Sequence, residues 1–466
     1  MSIPICVVIM AGGEGQRLWP RSNSDTPKQF QSFFGGEVLL NQTLSLVMPF
    51  VPRHQTYVIT SNKHLERTRL LVGKDIKVVG EPTKRDTAAC MGLATANIIK
   101  DHSEDVIIAF LPCDHWIDDQ EYFSSTLEKA AKLAKVHDCL VTIGVRPTRP
   151  ESGFGYVEVE KGEGDYFLVK EFKEKPSLEE AKQLILNKNV FWNNGIFVAR
   201  ASVMRDLFKE YLPNLASGLE FIYEKEMDSE EFYEAINAIY KNLTPISFDY
   251  GVLQKLKDFI LIPAEYQWDD IGSWSAFTRI HRQNQQGNLL SGKVSTIDTK
   301  GCLVDTPDLK TSLIGVENMV VVQEGDQLLI CDIDHAQDIK QIAADNDMSV
   351  SYSGNKIVLK PWGREIWWAV TSSYAAKILE VKAGERLSLQ YHRRKKETLL
   401  FERGEGEMIL GETRFSVYPG MTITVEPTVI HQIIAKSNLR IIEVSTPDLD
   451  DVVRLHDNYG RCDNNS

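Results

Sequence analysis

The chain has 466 residues, too many for a single hydrophobic core, so two or three domains are expected. Hydrophobic residues make up 43% and charged residues 25%, the proportions of an ordinary globular protein. A formal net charge of -13 excludes the broad basic face that nucleic acid or an anionic membrane requires, yet leaves room for local cations around a small phosphorylated substrate.

Residues 1–285 alternate β-rich and helix-like stretches. Strands are predicted at "ICVVIM", "TYVIT", "VIIAFLP", "CLVTIGV", "GYVEVE" and "FLVKEF", and helices at "YFSSTLEKAAKLAKVH" and "SLEEAKQLILNK". Ser177 with Glu180 at the start of the second helix has the spacing of a capping box. Such alternation predicts an α/β, Rossmann-like domain with a mainly parallel sheet. Residues 286–350 change character: short apolar pieces ("KVSTID", "GCLVD", "TSLIGV", "NMVVVQ", "QLLICD") separated by Gly, Asp and Asn predict a small β-solenoid-like linker domain. A helix over Ile333–Asp345 is expected to close it. Residues 351–466 read as short strands at regular spacing with Gly or Pro turns, the pattern of a β-sandwich or barrel.

The stretch "AGGEGQRLWPRSNSDTPKQF" (11–30) follows the first apolar run. Gly12, Gly13 and Gly15 allow close approach to an anion, and consecutive backbone N–H groups in such a loop form an anion nest. Arg17 and Lys28 add positive charge. No Gly-Lys-Ser/Thr follows, so this is not a P-loop, and Leu18 stands where a dinucleotide fingerprint has its third glycine. Asp114 ends the apolar run "VIIAFLPCD", where α/β sheets place ligands.

The string GGxGxRLWPxS…PKQF resembles the signature of the sugar-nucleotide nucleotidyltransferases, and its "RLWP" and "PKQF" forms are similar to the mannose-1-phosphate guanylyltransferases. "GEPTKRDTAA" (80–89), "LPCDH" (111–115), "GFGYVE" (153–158), "EKP" (174–176), "WNNGIF" (192–197), "FDYGV" (248–252) and "WDDIGSW" (268–274) follow in the family's order. Asp86 departs from the family's usual Asn. The resemblance implies transfer of GMP from GTP to mannose 1-phosphate, giving GDP-mannose and pyrophosphate; the choice of guanine rests on it alone. Gly12, Gly13, Gly15, Arg17, Arg85 and Asp114 would then meet the nucleotide. Lys28 would neutralise charge near the α-phosphate or leaving group, and Asp114 with Asp270 would hold Mg²⁺. Asp269 is the neighbouring alternative; the family's W-x-D-x-G spacing selects Asp270. Gly155, Glu174, Lys175 and Asn193 or Asn194 would form the sugar-phosphate site.

In the last segment, "GERLSLQYHRRKKETLLFERG" (384–404) and "PGMTITVEPTVIHQII" (419–434) fit the two cupin motifs. Gln390 and His392 share a strand face, and with Glu397 and His431 they make a set suited to a divalent metal such as Zn²⁺. "DDVVRLHDNYGR" (450–461) resembles the end of the type II phosphomannose isomerases, which are fused to the guanylyltransferase in this order. That resemblance implies interconversion of mannose 6-phosphate and fructose 6-phosphate, with Arg394 or Arg454 on the phosphate. Where the family usually has QMHHHRxEHW, this chain has QYHRRKKETL: the metal set is kept, but Arg393, Arg394, Thr398 and Leu399 replace other residues. The rival reading makes the cupin a non-catalytic binding or assembly module.

Seven cysteines without a CxxC pair predict reduced thiols in a cytoplasmic protein. No signal segment or apolar run of about 18 residues is seen. A homo-oligomer is compatible with the sequence, which does not fix the assembly.

Overall fold

The computed structural model describes residues 4–162, 164–222, 229–345, 352–371, 373–449, 451–457 and 459. Cys462 and parts of the segment "DDVVRLHDNYGR" lie outside them.

Eleven strands belong to the first domain: β1 (Ile5–Ala11), β2 (Thr56–Ser61), β3 (Lys77–Glu81), β4 (Ile107–Pro112), β5 (Trp116–Ile117), β6 (Val141–Val145), β7 (Gly155–Lys161), β8 (Phe167–Lys173), β9 (Val190–Arg200), β10 (Ile260–Pro263) and β11 (Trp268–Asp269). Nine of them form one sheet in the order β3-β2-β1-β4-β9-β6-β10-β8-β7, while β5 and β11 pair separately. The β3-β2-β1-β4 end is parallel. Beyond it β9 runs antiparallel to both β4 and β6. β1 and β4 are continuous apolar runs because helices cover both sheet faces. One hydrophobic cluster lies on each side, with Cys6 and Val8 in the first and Val7 and Ile9 in the second. The helix Leu178–Leu184 carries its capping box, Ser177 with Glu180, as observed geometry. The long predicted helix occupies Gln120–His137, its N-terminus capped by the Asp119 side chain.

Four strands follow: β12 (Leu289–Ile297), β13 (Leu303–Ile314), β14 (Met319–Glu324) and β15 (Gln327–Asp332). The first three are parallel neighbours, and β15 folds back antiparallel on β14. The predicted helix over 333–345 is broken in two. Asp332 accepts from the Asp334 N–H at 2.8 Å and starts a short 3-10 turn, Ile333–His335; the α-helix begins at Ile339 and runs to Asp345. This small domain shares a core with the first: Leu303, Val320, Val322 and Ile339 lie in one cluster with Leu18, Trp274 and Phe277. Arg21 reinforces the junction, reaching Asp305 at 2.6 Å and Glu324 at 3.1 Å.

The last segment is a cupin-type double sheet. Tyr352–Lys360, Gly363–Val370, Ala375–Val381, Leu439–Ser445, Glu397–Arg403 and Thr422–Val425 form one sheet in that order. Thr413–Val417, Gly406–Leu410, His431–Ala435, Leu389–His392 and Val452–His456 form the other. Phe401, Met408, Val425 and Ile441 are fully buried between them.

Candidate functional site

The carboxyl ends of β1, β3 and β4 converge, as ligand sites in open α/β sheets require. The glycine loop leaves β1, Glu81 ends β3, and Asp114 lies two residues beyond β4. Lys28 begins the short turn Lys28–Phe30, and its stem crosses back over the loop. Gly15 has φ 65°, and a Cβ there would lie 2.7 Å from the Lys28 Cβ, so only glycine lets the lysine through. Gln29 anchors the same turn, donating to the Ala11 carbonyl at 2.8 Å.

The ammonium of Lys28 is ion-paired with Asp114. Burial works against its charge, but Asp114 and then Asp270 hold its pKa above the ordinary lysine value. Burial likewise opposes the Asp114 carboxylate, and Lys28 and His115 still bring it below the usual range. Asp270 is pushed up to about 6 by burial and by Asp269 beside it. The neighbouring aspartates are differently engaged. Asp269 accepts a bidentate pair from Arg279 at 2.7 and 2.9 Å. Asp270 accepts the Gly272 N–H at 3.1 Å and lines the cleft. Two carboxylates crowded at one end of a cleft, one with a raised pKa, fit a divalent cation.

Gly13, Gly15, Arg17, Lys28, Asp114 and Asp270 together line a cleft of about 410 Å³. Gly12 is exposed, is not among the lining residues, and lies over the buried carboxyl of Glu81, which burial pushes up to about 7 and which accepts from Tyr240 at 2.9 Å. Arg85 is not among the lining residues of this cleft. Its guanidinium donates to the Tyr240 carbonyl at 2.7 Å and lines a separate cavity behind the helix that starts at Asp86. Asp86 itself has φ 67°, a conformation that Asn and Asp tolerate best, and it accepts from the Thr87 N–H.

The sugar-side candidates gather one strand further along. Lys175 reaches Glu174 at 2.5 Å, and the Glu174 carboxylate is packed so that a Cβ on Gly155 would lie 2.6 Å from it. Gly155 therefore makes room for Glu174. Asn193 donates to Asp249 at 2.9 Å. Burial, then the charge of Glu174, pushes the Asp249 carboxyl up to about 7. Asn194 is buried, with its carbonyl accepting the Ile196 N–H. Asp249, inside "FDYGV", is a member of this cluster that motif reading leaves unassigned.

In the cupin, Gln390 pairs with His431 across neighbouring strands, while Glu397 comes from the facing sheet. His392, Glu397 and His431 offer ligand atoms that all lie within 4.8 Å of one another, and Gln390 Nε2 lies 3.4 Å from His431 Nε2. Both ring nitrogens of His392 are buried without a hydrogen-bond partner. Orphaned imidazole nitrogens facing a carboxylate and a second imidazole are what a divalent metal would satisfy.

Lys395 enters the same pocket, donating to Glu397 at 2.7 Å and to Glu443 at 2.6 Å. Burial opposes its charge, but Glu443 and Glu397 raise its pKa above the ordinary value. Arg454 lines this cavity of about 250 Å³ with its Nε buried and unpartnered. Arg394 does not line it: the side chain is 76% exposed and pairs with Asp448 at 3.4 Å.

Residues 6–287 match the nucleotidyl transferase family model, 292–345 a MannoseP isomerase/GMP-like beta-helix domain, and 347–457 the mannose-6-phosphate isomerase C-terminal domain. A xanthan biosynthesis protein, XanB of Xanthomonas campestris pv. campestris, is 30% identical over 97% of this chain and 98% of its own. A mannose-1-phosphate guanylyltransferase of Klebsiella pneumoniae is 28% identical over 98% of this chain and 99% of its own. A crystal structure from Thermus thermophilus, described as mannose-1-phosphate geranyltransferase, has 31% identity and a TM-score of 0.67, covering 74% of this chain and all of that one. The chain belongs to the nucleotidyl transferase family, in the group that joins mannose-1-phosphate guanylyltransferases to a C-terminal mannose-6-phosphate isomerase domain.

Proposed function

We propose that the first domain transfers GMP from GTP to mannose 1-phosphate, forming GDP-mannose and releasing pyrophosphate. The observation that carries this is the meeting of Lys28, Asp114 and Asp270 beneath the glycine loop. An oxygen of the sugar phosphate forms the new bond to the α-phosphorus, and the α–β bridging oxygen leaves with its electron pair on pyrophosphate. The loop N–H groups and Arg17 would hold the triphosphate, and Lys28 would stabilise charge developing near the α-phosphorus. Asp114 and Asp270 would hold Mg²⁺, whose contribution is neutralisation of phosphate charge. Lys175 would meet the sugar phosphate, while Glu174 and the Asn193–Asp249 pair would orient the sugar hydroxyls. The test is GDP-mannose formation from GTP and mannose 1-phosphate with Mg²⁺, comparing wild type with Asp114→Asn. Undiminished turnover in the variant would overturn the assignment of Asp114.

The cupin is proposed to interconvert mannose 6-phosphate and fructose 6-phosphate, with Gln390, His392, Glu397 and His431 holding a divalent metal such as Zn²⁺. The chemistry such an ion supplies is polarisation of a carbonyl. Arg454 would take the phosphate, since it lines the pocket with its buried Nε unpaired. One observation favours the rival reading of a binding or assembly module: Lys395 already engages Glu397. Following fructose 6-phosphate formation from mannose 6-phosphate across a panel of metals separates the two. Formation that disappears in His431→Ala supports the isomerase; none with any metal, in a sample that makes GDP-mannose, supports the module.

A further inference from the structure

The transferase cleft is not closed by the first domain alone. Its lining includes Lys340, from the helix Ile339–Asp345 of the small β-domain. That helix packs on the turn Gln16–Leu18, which carries Arg17. Each cation sits beside an anchor: Leu18 and Ile339 are buried in the same hydrophobic cluster, so the two backbones are fixed against each other.

The charges in the cleft decide what Lys340 could do. Lys28 is paired with Asp114, and Lys84 lies 3.4 Å from Glu14. Arg17 and Lys340 have no carboxylate partner among the described residues, and both border the cleft. Two uncompensated cations bordering the cleft suit the most highly charged part of a nucleoside triphosphate. A flexible lysine stem is suited to following an anion that moves as it leaves.

We propose that Lys340 binds the β- and γ-phosphates of the nucleoside triphosphate and the pyrophosphate they become, so that the small β-domain completes the active site. The proposal rests on the nucleotidyl-transfer reading above. Lys340 neutralises charge on the leaving group and takes no part in bond making.

The test compares wild type, Lys340→Met and Lys340→Arg in the full chain. In the forward direction Lys340→Met is expected to raise KM for GTP about tenfold, the effect of losing one charge-assisted contact. In pyrophosphorolysis of GDP-mannose it should raise KM for pyrophosphate by a similar factor. KM for mannose 1-phosphate should stay within about twofold, and Lys340→Arg should restore the two affected constants. Unchanged KM values for GTP and pyrophosphate overturn the proposal. So does an equal rise for all substrates accompanied by a lower melting temperature of the unliganded protein, which marks a purely structural role. If wild type makes no GDP-mannose, the transfer reading has failed, and Lys340 is judged by calorimetry with Mg²⁺ and inorganic tripolyphosphate. Weaker binding by Lys340→Met than by wild type supports the site; equal binding, or none by wild type, overturns it.

Discussion

In the N-terminal cleft Lys28 meets one carboxylate, Asp114, with Asp270 nearby and open space beyond. In the cupin pocket Lys395 is clamped between Glu397 and Glu443, and Glu443 is in turn held by Lys377 at 3.3 Å. Both are buried ammonium groups with raised pKa, but their spare capacity differs. A lysine has three N–H donors. Lys28 keeps donors free for a phosphate oxygen, whereas Lys395 spends two on carboxylates that a metal or sugar would also want. The first arrangement waits for an anion. The second balances the pocket's own charge, so any ion at His392, Glu397 and His431 must share Glu397 with an existing partner.

The widest break in this comparison is Lys28→Met. Loss of a donor aimed at developing charge should lower kcat for GDP-mannose formation by about 10²- to 10³-fold and leave the cupin untouched; initial rates measure it. Lys395→Met should act on stability instead. Removing one partner of a buried ion pair costs about 3–5 kcal/mol, so the metal-free variant should melt at a lower temperature than wild type. Zn²⁺ should then recover more of the lost stability than it adds to wild type, because Glu397 no longer has a competing cation. Equal metal-induced shifts in thermal melts would mean that Lys395 and the metal do not compete.

Glu81 sharpens the contrast from the cleft side. Burial raises its carboxyl from the ordinary 4.5 to about 7, so folding favours the protonated form. Its contribution to stability is fully present below about pH 4.5 and is lost as pH rises through about 7. Glu81→Gln, which keeps an acceptor for Tyr240, should remove that slope, a difference of at most about 3 kcal/mol. Denaturant melts between pH 4.5 and 7.5 would read it. The smallest effect separates two arginines. Arg454→Ala should raise KM for mannose 6-phosphate about tenfold, while Arg394→Ala, exposed on the outer surface, should change neither KM nor stability measurably.

The residues legible in the sequence are those whose role is local. The glycine loop, Lys28 and Asp114 are each written into a strand end and the turn after it. Glu81, Asp249 and Lys340 are not, because their proximity to the cleft is made by the sheet order and by a second domain. Lys395 is hidden for a different reason. Period-two alternation from Gln390 and His392 puts Arg394 on the inner face. The chain turns after His392 instead: Asp451 accepts the backbone N–H groups of both Arg394 and Lys395. The turn shifts the parity, so Lys395 and Glu397 point inward and Arg394 outward. Arg85 is drawn from the cleft by the same kind of non-local contact, since the Tyr240 carbonyl that holds it is 155 positions away.

The hydrophobic cluster that joins Leu18 to Ile339 has a consequence for how the chain is made. The turn carrying Arg17 is translated well before the strands that seat it, which emerge only after the whole α/β sheet. Arg21 waits 284 positions for Asp305. A nascent chain halted at the end of the α/β sheet would therefore carry a finished sheet and a glycine loop still without Asp305, Val320 and Ile339, and the loop would be seated only once the small domain has followed.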